Sequence, residues 1–439
     1  MPERETPGVW NTSFLNINTI VGTSVFVLIG ITAGLAGPAM ILSFPAAALV
    51  AFITALSSAE LSTFITEPKG PFVHIDHAFG QFWAFIVGWT QSFDYILGAC
   101  VGAIGFTAYF VRLLGFSPTV TVLILIGGIW PLILVFAQIR GLTLTIFHAI
   151  PLLALKLAGL TLFIGVGGYF LLIQGDYSNY FPFAPLSTVG ILNGASMNFY
   201  AFAGFSTILL FARGMRSPSR NIPKTLGISI GVSTLLYIGV ALVSIGLVNW
   251  RILQFTRAPL QVAMAAATND VYLLGFVAIT ALVATSAVIL SSLFVGSRVL
   301  SAMADERAVP EVLGTRSDRG VPVYAVVLIG ILVSAIVIVS KGDLILLATM
   351  FNFGTLMAYL FINLSVLHLR RKEPHAERLY KVPFYPWIPL AGVAGCLTLT
   401  LRLNRTAILA IGAWILIGVL AYALYKRYIR RSYTKNLKA

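Results

Sequence analysis

The sequence predicts an all-α polytopic membrane protein, a class indicated by its hydropathy, its low charge content and its long apolar segments. Of the 439 residues, 58% are hydrophobic and 10% are charged, whereas an ordinary soluble domain has about 25% charged residues. The mean hydropathy is +0.92. A soluble globule of this size could not remove so much apolar surface from water. These observations exclude a soluble enzyme, a secreted disulfide scaffold and a disordered chain.

Twelve apolar segments are long enough to cross a bilayer, which takes about 20 residues of α-helix. Charged residues, or proline and glycine, separate these segments. The sequence predicts one transmembrane domain over residues 1–439. The predicted spans lie at 10–35, 38–66, 81–113, 119–138, 143–174, 188–212, 222–249, 271–303, 321–340, 343–369, 386–402 and 406–426. An even number of spans places both termini on the same side of the membrane.

Lysine and arginine are distributed unevenly between the two faces that these spans define. The termini and the even-numbered loops carry 22 of the 29 basic residues, and the opposite loops carry 6. By the positive-inside rule, this bias predicts an integral plasma-membrane protein with both termini in the cytoplasm. It also explains the net charge of +14 without a nucleic-acid partner. The expected partners are membrane lipid and a small-molecule substrate, and the sequence carries no signal for an oligomeric state.

Two spans contain residues that disfavour a continuous helix. In the first, Gly22, Thr23 and Ser24 stand at mid-span between β-branched residues, and in the sixth, Gly204 stands at mid-span. Weak points at matching positions of two halves are typical of transporters built from inverted repeats. The free N–H and C=O groups of such a break can bind the carboxylate and ammonium of an amino acid. Alternatively, Gly22 and Gly204 are close-packing contacts between helices.

Five stretches resemble motifs of the amino acid–polyamine–organocation transporters. The most specific, Ser217–Lys224, is similar to the family's N-P-x-R-N-I-P-R loop. The others are the helix-break motifs Val21–Phe26 and Phe202–Phe205, Glu60-Leu61 with Pro68–Phe72, and Arg298–Pro310. The resemblance implies a leucine-transporter-like fold with broken helices 1 and 6. Two inverted five-helix repeats, 10–174 and 188–369, would be followed by helices 11 and 12 at 386–426.

The same resemblance implies secondary active transport of amino acids by alternating access. The implied substrate-binding residues surround the two breaks: Ile20, Gly22, Thr23, Ser24, Tyr200, Phe202, Ala203 and Gly204. Many family members have a glutamate after the helix 6 motif, where this chain has Ser206. Helix 6 therefore supplies no carboxylate, and the aromatic lining favours a neutral or fairly hydrophobic amino acid.

Lys156 stands alone in the middle of the fifth span. It lies 16 residues after Arg140 and 20 before Asp176, about 24 and 30 Å along a helix, too far for its side chain to reach the interface. Burial disfavours the charged form of a lysine, so Lys156 can cycle between charged and neutral states. It resembles the lysine that takes the place of sodium in proton-coupled family members. A static ion pair or carbonyl-bound lysine is the alternative.

Three further residues are candidates for proton coupling with Lys156. Asp94 is also central in its span and resembles an acid in relatives of the cationic amino acid transporters, so we expect it to pair with Lys156, directly or through water, or else to face a different cavity. Thr285 and Ser286 match hydroxyl positions of the family's sodium-site region, and we expect them to contact Lys156. Alternatively, these hydroxyls bond to the preceding helical turn.

Other classes of function receive less support from the sequence. A sodium-coupled or uncoupled amino acid or amine exchanger on the same fold is the main alternative, and a channel or non-transporting scaffold is another. A membrane enzyme is not expected, because the chain has neither an H-E-x-x-H nor a G-x-S-x-G motif. The histidine spacing suggests no metal site. No cofactor is expected, and a proton is favoured over sodium as the coupling ion.

Overall fold

The computed structural model describes residues 8–64, 71–141, 146–174, 176–210 and 215–436, and the regular elements in these ranges are all helices. The α-helices are α1 Val9–Ile20, α2 Thr23–Val27, α3 Ile29–Ala36, α4 Met40–Phe64, α5 Pro71–Phe79, α6 Gln81–Leu113, α7 Val120–Ile139, α8 Ile146–Gln174, α9 Ser187–Asn198, α10 Pro218–Leu247, α11 Trp250–Leu253, α12 Pro259–Ala267, α13 Val271–Asp305, α14 Val323–Val339, α15 Leu344–Lys372, α16 Trp387–Thr400 and α17 Arg405–Asn436. A long 3₁₀ helix, Phe199–Leu210, continues α9.

Helices occupy each of the twelve predicted intervals, and the third interval coincides with α6. Within the described ranges, eight helical stretches are long and apolar enough to cross a membrane, which confirms an integral, all-helical membrane protein. Two shorter apolar helices, α14 and α16, lie where two further spans are predicted. The full count of twelve and the inverted repeat remain predictions. Four residues that contribute to the predicted charge bias lie outside the described residues: Arg4, Lys69, Arg213 and Lys438.

Three short helices connect the long ones and were not predicted. Helix α5 lies between the second and third predicted spans, and α11 and α12 lie between the seventh and eighth. Each has nine residues or fewer, too short for a hydropathy window to register. Pro259 occupies the first turn of α12, where its missing N–H leaves no helical hydrogen bond unmade.

The centre of the molecule is built on α6 and α13, which pack closely along their length. Small residues on α6 permit this approach. A Cβ at Gly102 would lie 2.9 Å from the Cγ1 atom of Ile289, and one at Gly105 would lie 3.3 Å from the Cγ2 atom of Thr285. Helix α1 and the 3₁₀ helix lie against each other, and both contact α10. The two predicted breaks are therefore neighbours in space.

Candidate substrate and coupling site

The predicted break in the first span is present at Val21 and Gly22. Helix α1 ends at Ile20 and α2 begins at Thr23, while Gly22 has φ −126° and ψ −145°. This φ does not require glycine, so the residue is needed for space: a Cβ would lie 2.9 Å from the Cγ2 atom of Val288 on α13. The hydroxyls of Thr23 and Ser24 are buried and have no hydrogen-bond partner.

The sixth span changes its type of helix instead of unwinding. The twelve residues of the 3₁₀ helix are many more than the three or four usual for this conformation, and such stretches often mark a hinge. Gly204 lies within it, and a Cβ there would lie 2.4 Å from the carbonyl oxygen of Thr19. Gly204 is therefore a close-packing contact, because the backbones of the two interrupted helices touch at this point, and its substrate-binding role stays a prediction.

Side chains tie the two interrupted helices together. The Thr19 hydroxyl donates to the carbonyl oxygen of Gly204 at 3.0 Å. The Asn16 amide, oriented so that both of its ends are satisfied, donates to the carbonyl oxygens of Gly204 and Phe205 at 3.3 and 3.1 Å and accepts from Ser229. These bonds fix the end of α1 on the 3₁₀ helix.

Tyr237 of α10 is a residue of this site that the sequence analysis missed. Its hydroxyl donates to the carbonyl oxygen of Ile20 at 2.8 Å and lies 3.2 Å from that of Ala201. The side chain is fully buried, and its ring packs edge-on against Phe202 with centroids 5.5 Å apart. A tyrosine in the middle of an apolar span requires a hydrogen-bond partner for its hydroxyl. That signal was available in the sequence.

The predicted aromatic residues lie in the 3₁₀ helix but contact different neighbours. Tyr200 reaches the middle of α6, where its hydroxyl lies 3.4 Å from the carbonyl oxygen of Gly98, and its ring packs against Phe351 at 4.3 Å. Phe202 is fully buried against Tyr237. The carbonyl oxygen of Ala203 accepts from the hydroxyl of a tyrosine on α15, at 3.2 Å.

Lys156 reaches the end of α1. Its side chain is 3% exposed, and its Nζ atom donates to the carbonyl oxygens of Asn18 and Val21 at 2.8 and 2.9 Å. Carbonyl groups in the last turn of a helix lack helical partners and carry partial negative charge, which suits an ammonium group. Lys156 is therefore bound to carbonyl groups in this conformation, and its coupling role remains a prediction.

The expected contacts of Thr285 and Ser286 with Lys156 are not formed. Thr285 donates to the carbonyl oxygens of Ala281 and Leu282 at 2.8 and 3.1 Å, as a helical threonine does when its hydroxyl turns back on its own helix. Ser286 accepts from the indole nitrogen of Trp130 at 3.2 Å. Both hydroxyls therefore serve packing within and between helices in this conformation.

Asp94 does not pair with Lys156, and this expectation was wrong for the described structure. The carboxylate, 3% exposed, accepts from the Thr355 hydroxyl at 3.2 Å through Oδ2, while Oδ1 has no hydrogen-bond partner. It lies against Gly354, where a Cβ would meet Asp94 Oδ1 at 2.0 Å. The side chain of Asp94 faces α15. The expectation failed because a similar position along two helices does not fix the direction in which each side chain points.

A separate cluster of charges holds the segment that follows α15. Glu60 is 1% exposed, and its carboxylate accepts from Arg370 at 2.8 and 2.6 Å and from the backbone N–H of Val382 at 2.7 Å. Arg378 lies 3.4 Å from the same carboxylate. Because a bidentate arginine and a backbone N–H satisfy Glu60, this cluster anchors the loop before α16 to the end of α4.

An interrupted first helix, a 3₁₀ segment against it and a buried lysine on the helix end together define a helical membrane transporter. Residues 8–424 match the amino acid permease family, and the chain belongs to that family. It is 28% identical to a branched-chain amino acid permease of Bacillus subtilis, over 96% of this chain and 92% of that one. It is 31% identical to a branched-chain amino acid permease of Lactococcus lactis, over 94% and 92%.

A methylthioribose transporter of Bacillus subtilis is also 28% identical, over 96% of this chain and 93% of that protein. These relatives are permeases and transporters, which confirms that the chain is a transporter and not an enzyme. Their names differ in substrate, so membership of the family does not fix what this chain carries.

Proposed function

We propose that the protein is a proton-coupled amino acid transporter of the plasma membrane that works by alternating access. The observation that carries the proposal is the break at Val21 and Gly22, with Lys156 bound to carbonyl groups on one side of it. A neutral, fairly hydrophobic substrate agrees with the buried aromatic side chains of the 3₁₀ helix. The names of two relatives make leucine, isoleucine and valine the first substrates to test.

The proposal includes twelve spans in the order of two inverted five-helix repeats and two further helices, with both termini in the cytoplasm. Helices in all twelve predicted intervals support it. Further support comes from the position of the two irregular segments, each in the first helix of its repeat. Rocking of one group of helices against another would then expose a central site to each side in turn.

The break in the first span would hold the substrate carboxylate. Backbone N–H groups of Gly22, Thr23 and Ser24 stand at the start of α2, where the helix has no internal acceptors for them. We expect Gly22→Leu to abolish binding by filling this space, with the protein still folded. A normal dissociation constant for leucine in that variant, measured by scintillation proximity, would place the substrate elsewhere.

Lys156 would couple the proton to the movement of the first span. As an ammonium group it donates to two carbonyl groups at the break, and loss of its proton removes the charge that strengthens these bonds. Neutral Lys156 would release the end of α1, which is the step that opens the site. Asp94, buried with an unpartnered carboxylate oxygen, would carry a proton in another state of the cycle.

The experiment is uptake of radiolabelled amino acids into proteoliposomes, with and without an inward proton gradient. We expect gradient-driven accumulation in the wild type, no accumulation in Lys156→Ala, and exchange without accumulation in Asp94→Asn. Thr285→Val is the matched control, because its hydroxyl bonds only within α13. Undiminished accumulation in Lys156→Ala would reject the coupling mechanism, and a sodium requirement in the wild type would establish the alternative ion. Uptake that neither saturates nor shows counterflow would indicate a channel.

A further inference from the structure

The structure contains an apolar groove that the transport site does not use. It lies between α6, α7, α8 and α13, has a volume of about 320 Å³, and is open on one side. Its lining includes Phe106, Trp130, Val283, Ala287 and Leu290. This volume is at the lower end of the range of about 300–1,000 Å³ found for small-molecule sites.

The interior of the groove offers almost no free polar group. Ser286 is the one lining residue with a polar side chain besides Trp130, and the two bond to each other at 3.2 Å. The rings of Phe106 and Trp130 stack with centroids 4.3 Å apart and planes 6° apart. A ligand that needs hydrogen bonds or a counter-charge would therefore find no partner, whereas a hydrocarbon chain would lose nothing by entering.

The groove opens onto the lipid-facing surface. Other apolar side chains within three residues of the lining on α7 and α13 are exposed: Ile129 is 55% exposed, Ile133 49% and Ile279 48%. In a membrane protein such side chains face lipid tails, so the groove is continuous with the hydrocarbon of the bilayer. Water would find neither polar partners there nor a path through the apolar rim.

We propose that the groove binds an acyl chain of a membrane phospholipid. The chain would support the part of α13 that also packs on the break in the first span: Val283 and Ala287 face the groove, and Val288 on the same turn touches Gly22. An occupied groove therefore backs the helix at the point where it meets the proposed substrate site. The binding itself does not depend on what the protein transports.

The test is fluorescence quenching of Trp130 by phosphatidylcholine with brominated acyl chains, added to protein in detergent. The chain has seven tryptophans, so the signal of Trp130 is the difference between the wild type and Trp130→Phe. We expect saturable quenching of this difference signal at a single lipid per protein. Quenching that rises without saturation would show contact with bulk lipid only and would overturn the proposal.

Two variants fill the groove, Val283→Phe and Ala287→Phe. The matched control is Ile331→Phe, which places the same ring on an exposed position of α14, outside the lining. We expect both groove variants to lose the saturable quenching and the control to keep it. The wild type should also gain thermal stability on addition of the lipid, by mass action, and a correctly folded groove variant should not. Equal saturable quenching in wild type and groove variants would reject the site.

Discussion

At the scale of single residues, the end of α1 shows why its side-chain partners are needed. A helix leaves its last four carbonyl groups without helical donors. The carbonyl oxygen of Ile17 accepts from the N–H of Val21, those of Asn18 and Val21 accept from Lys156, and that of Ile20 accepts from Tyr237. Donors from α8 and α10 thus replace water at a helix end inside the protein.

Tyr237→Phe removes one of these donors and preserves the ring. The buried carbonyl oxygen of Ile20 then loses its side-chain donor, at a cost of about 1–3 kcal/mol. We expect a lower melting temperature in detergent and a changed KM for transport. Tyr180→Phe is the control, since its hydroxyl donates to a carbonyl of α10, that of Leu242, away from both breaks. Equal effects of the two variants would show that the position of Tyr237 has no special role.

At the scale of helices, the glycines of the two breaks are not equivalent. A Cβ at Gly22 would meet only the side chain of Val288, which can move, whereas a Cβ at Gly204 would meet the backbone of Thr19. Gly204 thus determines how closely the 3₁₀ helix and α1 approach. Neither Gly22 nor Gly204 is among the described glycines with a positive φ. The lack of space for a side chain therefore explains why glycine stands at both positions.

Gly204→Ala is therefore expected to destabilise the protein more than Gly22→Ala. Overpacking costs about 1–3 kcal/mol in typical cores, and a rigid backbone neighbour places Gly204→Ala at the upper end. Addition of Val288→Ala should restore the melting temperature of Gly22→Ala, because it removes the contacting methyl group. Comparable melting temperatures for the two single variants would contradict the backbone contact at Gly204.

Helix α5 contains a buried histidine outside the spanning helices. His74 is 6% exposed, and burial lowers its pKa from 6.5 to about 4. The unfolded segment takes up a proton near pH 6.5 and the folded one only near pH 4. The titration of His74 therefore leaves the free energy of unfolding at its full value above about pH 6.5. That free energy falls by up to about 3 kcal/mol as the pH drops to about 4, and His74 changes it no further below that pH.

We expect the hydrogen-exchange protection of residues 71–79, corrected for intrinsic exchange rates, to fall as the pH is lowered from about 7 to about 5. His74→Gln should remove this dependence, because its side chain does not titrate. His375→Gln is the control, on an exposed histidine in the segment after α15. A pH dependence that persists in His74→Gln would assign it to other groups.

The position of each long helix was predictable, and the direction in which its side chains point was not. Hydropathy alone placed α6 at its observed bounds, since burial in lipid requires a continuous apolar run. Lys156 and Asp94 are both buried, but position along a helix does not determine rotation about its axis, and the two residues bind different neighbours. The 3₁₀ conformation of the sixth span was not predicted either, because Gly204 in the sequence indicates a weak point in the helix but not the type of helix that replaces it.

At the scale of the whole molecule, charge would set the orientation in the membrane. The loops and termini proposed as cytoplasmic carry 22 basic residues, against 6 on the other side. Moving a loop rich in lysine and arginine across the hydrocarbon core is costly, so the less basic face is the one translocated. The proposed orientation would put the segment between α12 and α13 outside the cell and the segment between α13 and α14 in the cytoplasm.

Single added cysteines test this orientation in otherwise native protein. Cys100 and Cys396 are both 0% exposed, so they contribute little background labelling. Asn269→Cys and Asp318→Cys lie at exposed positions on either side of α13. In intact cells, we expect a membrane-impermeant maleimide to label Asn269→Cys and to label Asp318→Cys only after permeabilisation. The reverse pattern would place the termini outside, and labelling of both positions from one side would mean that α13 does not cross the membrane.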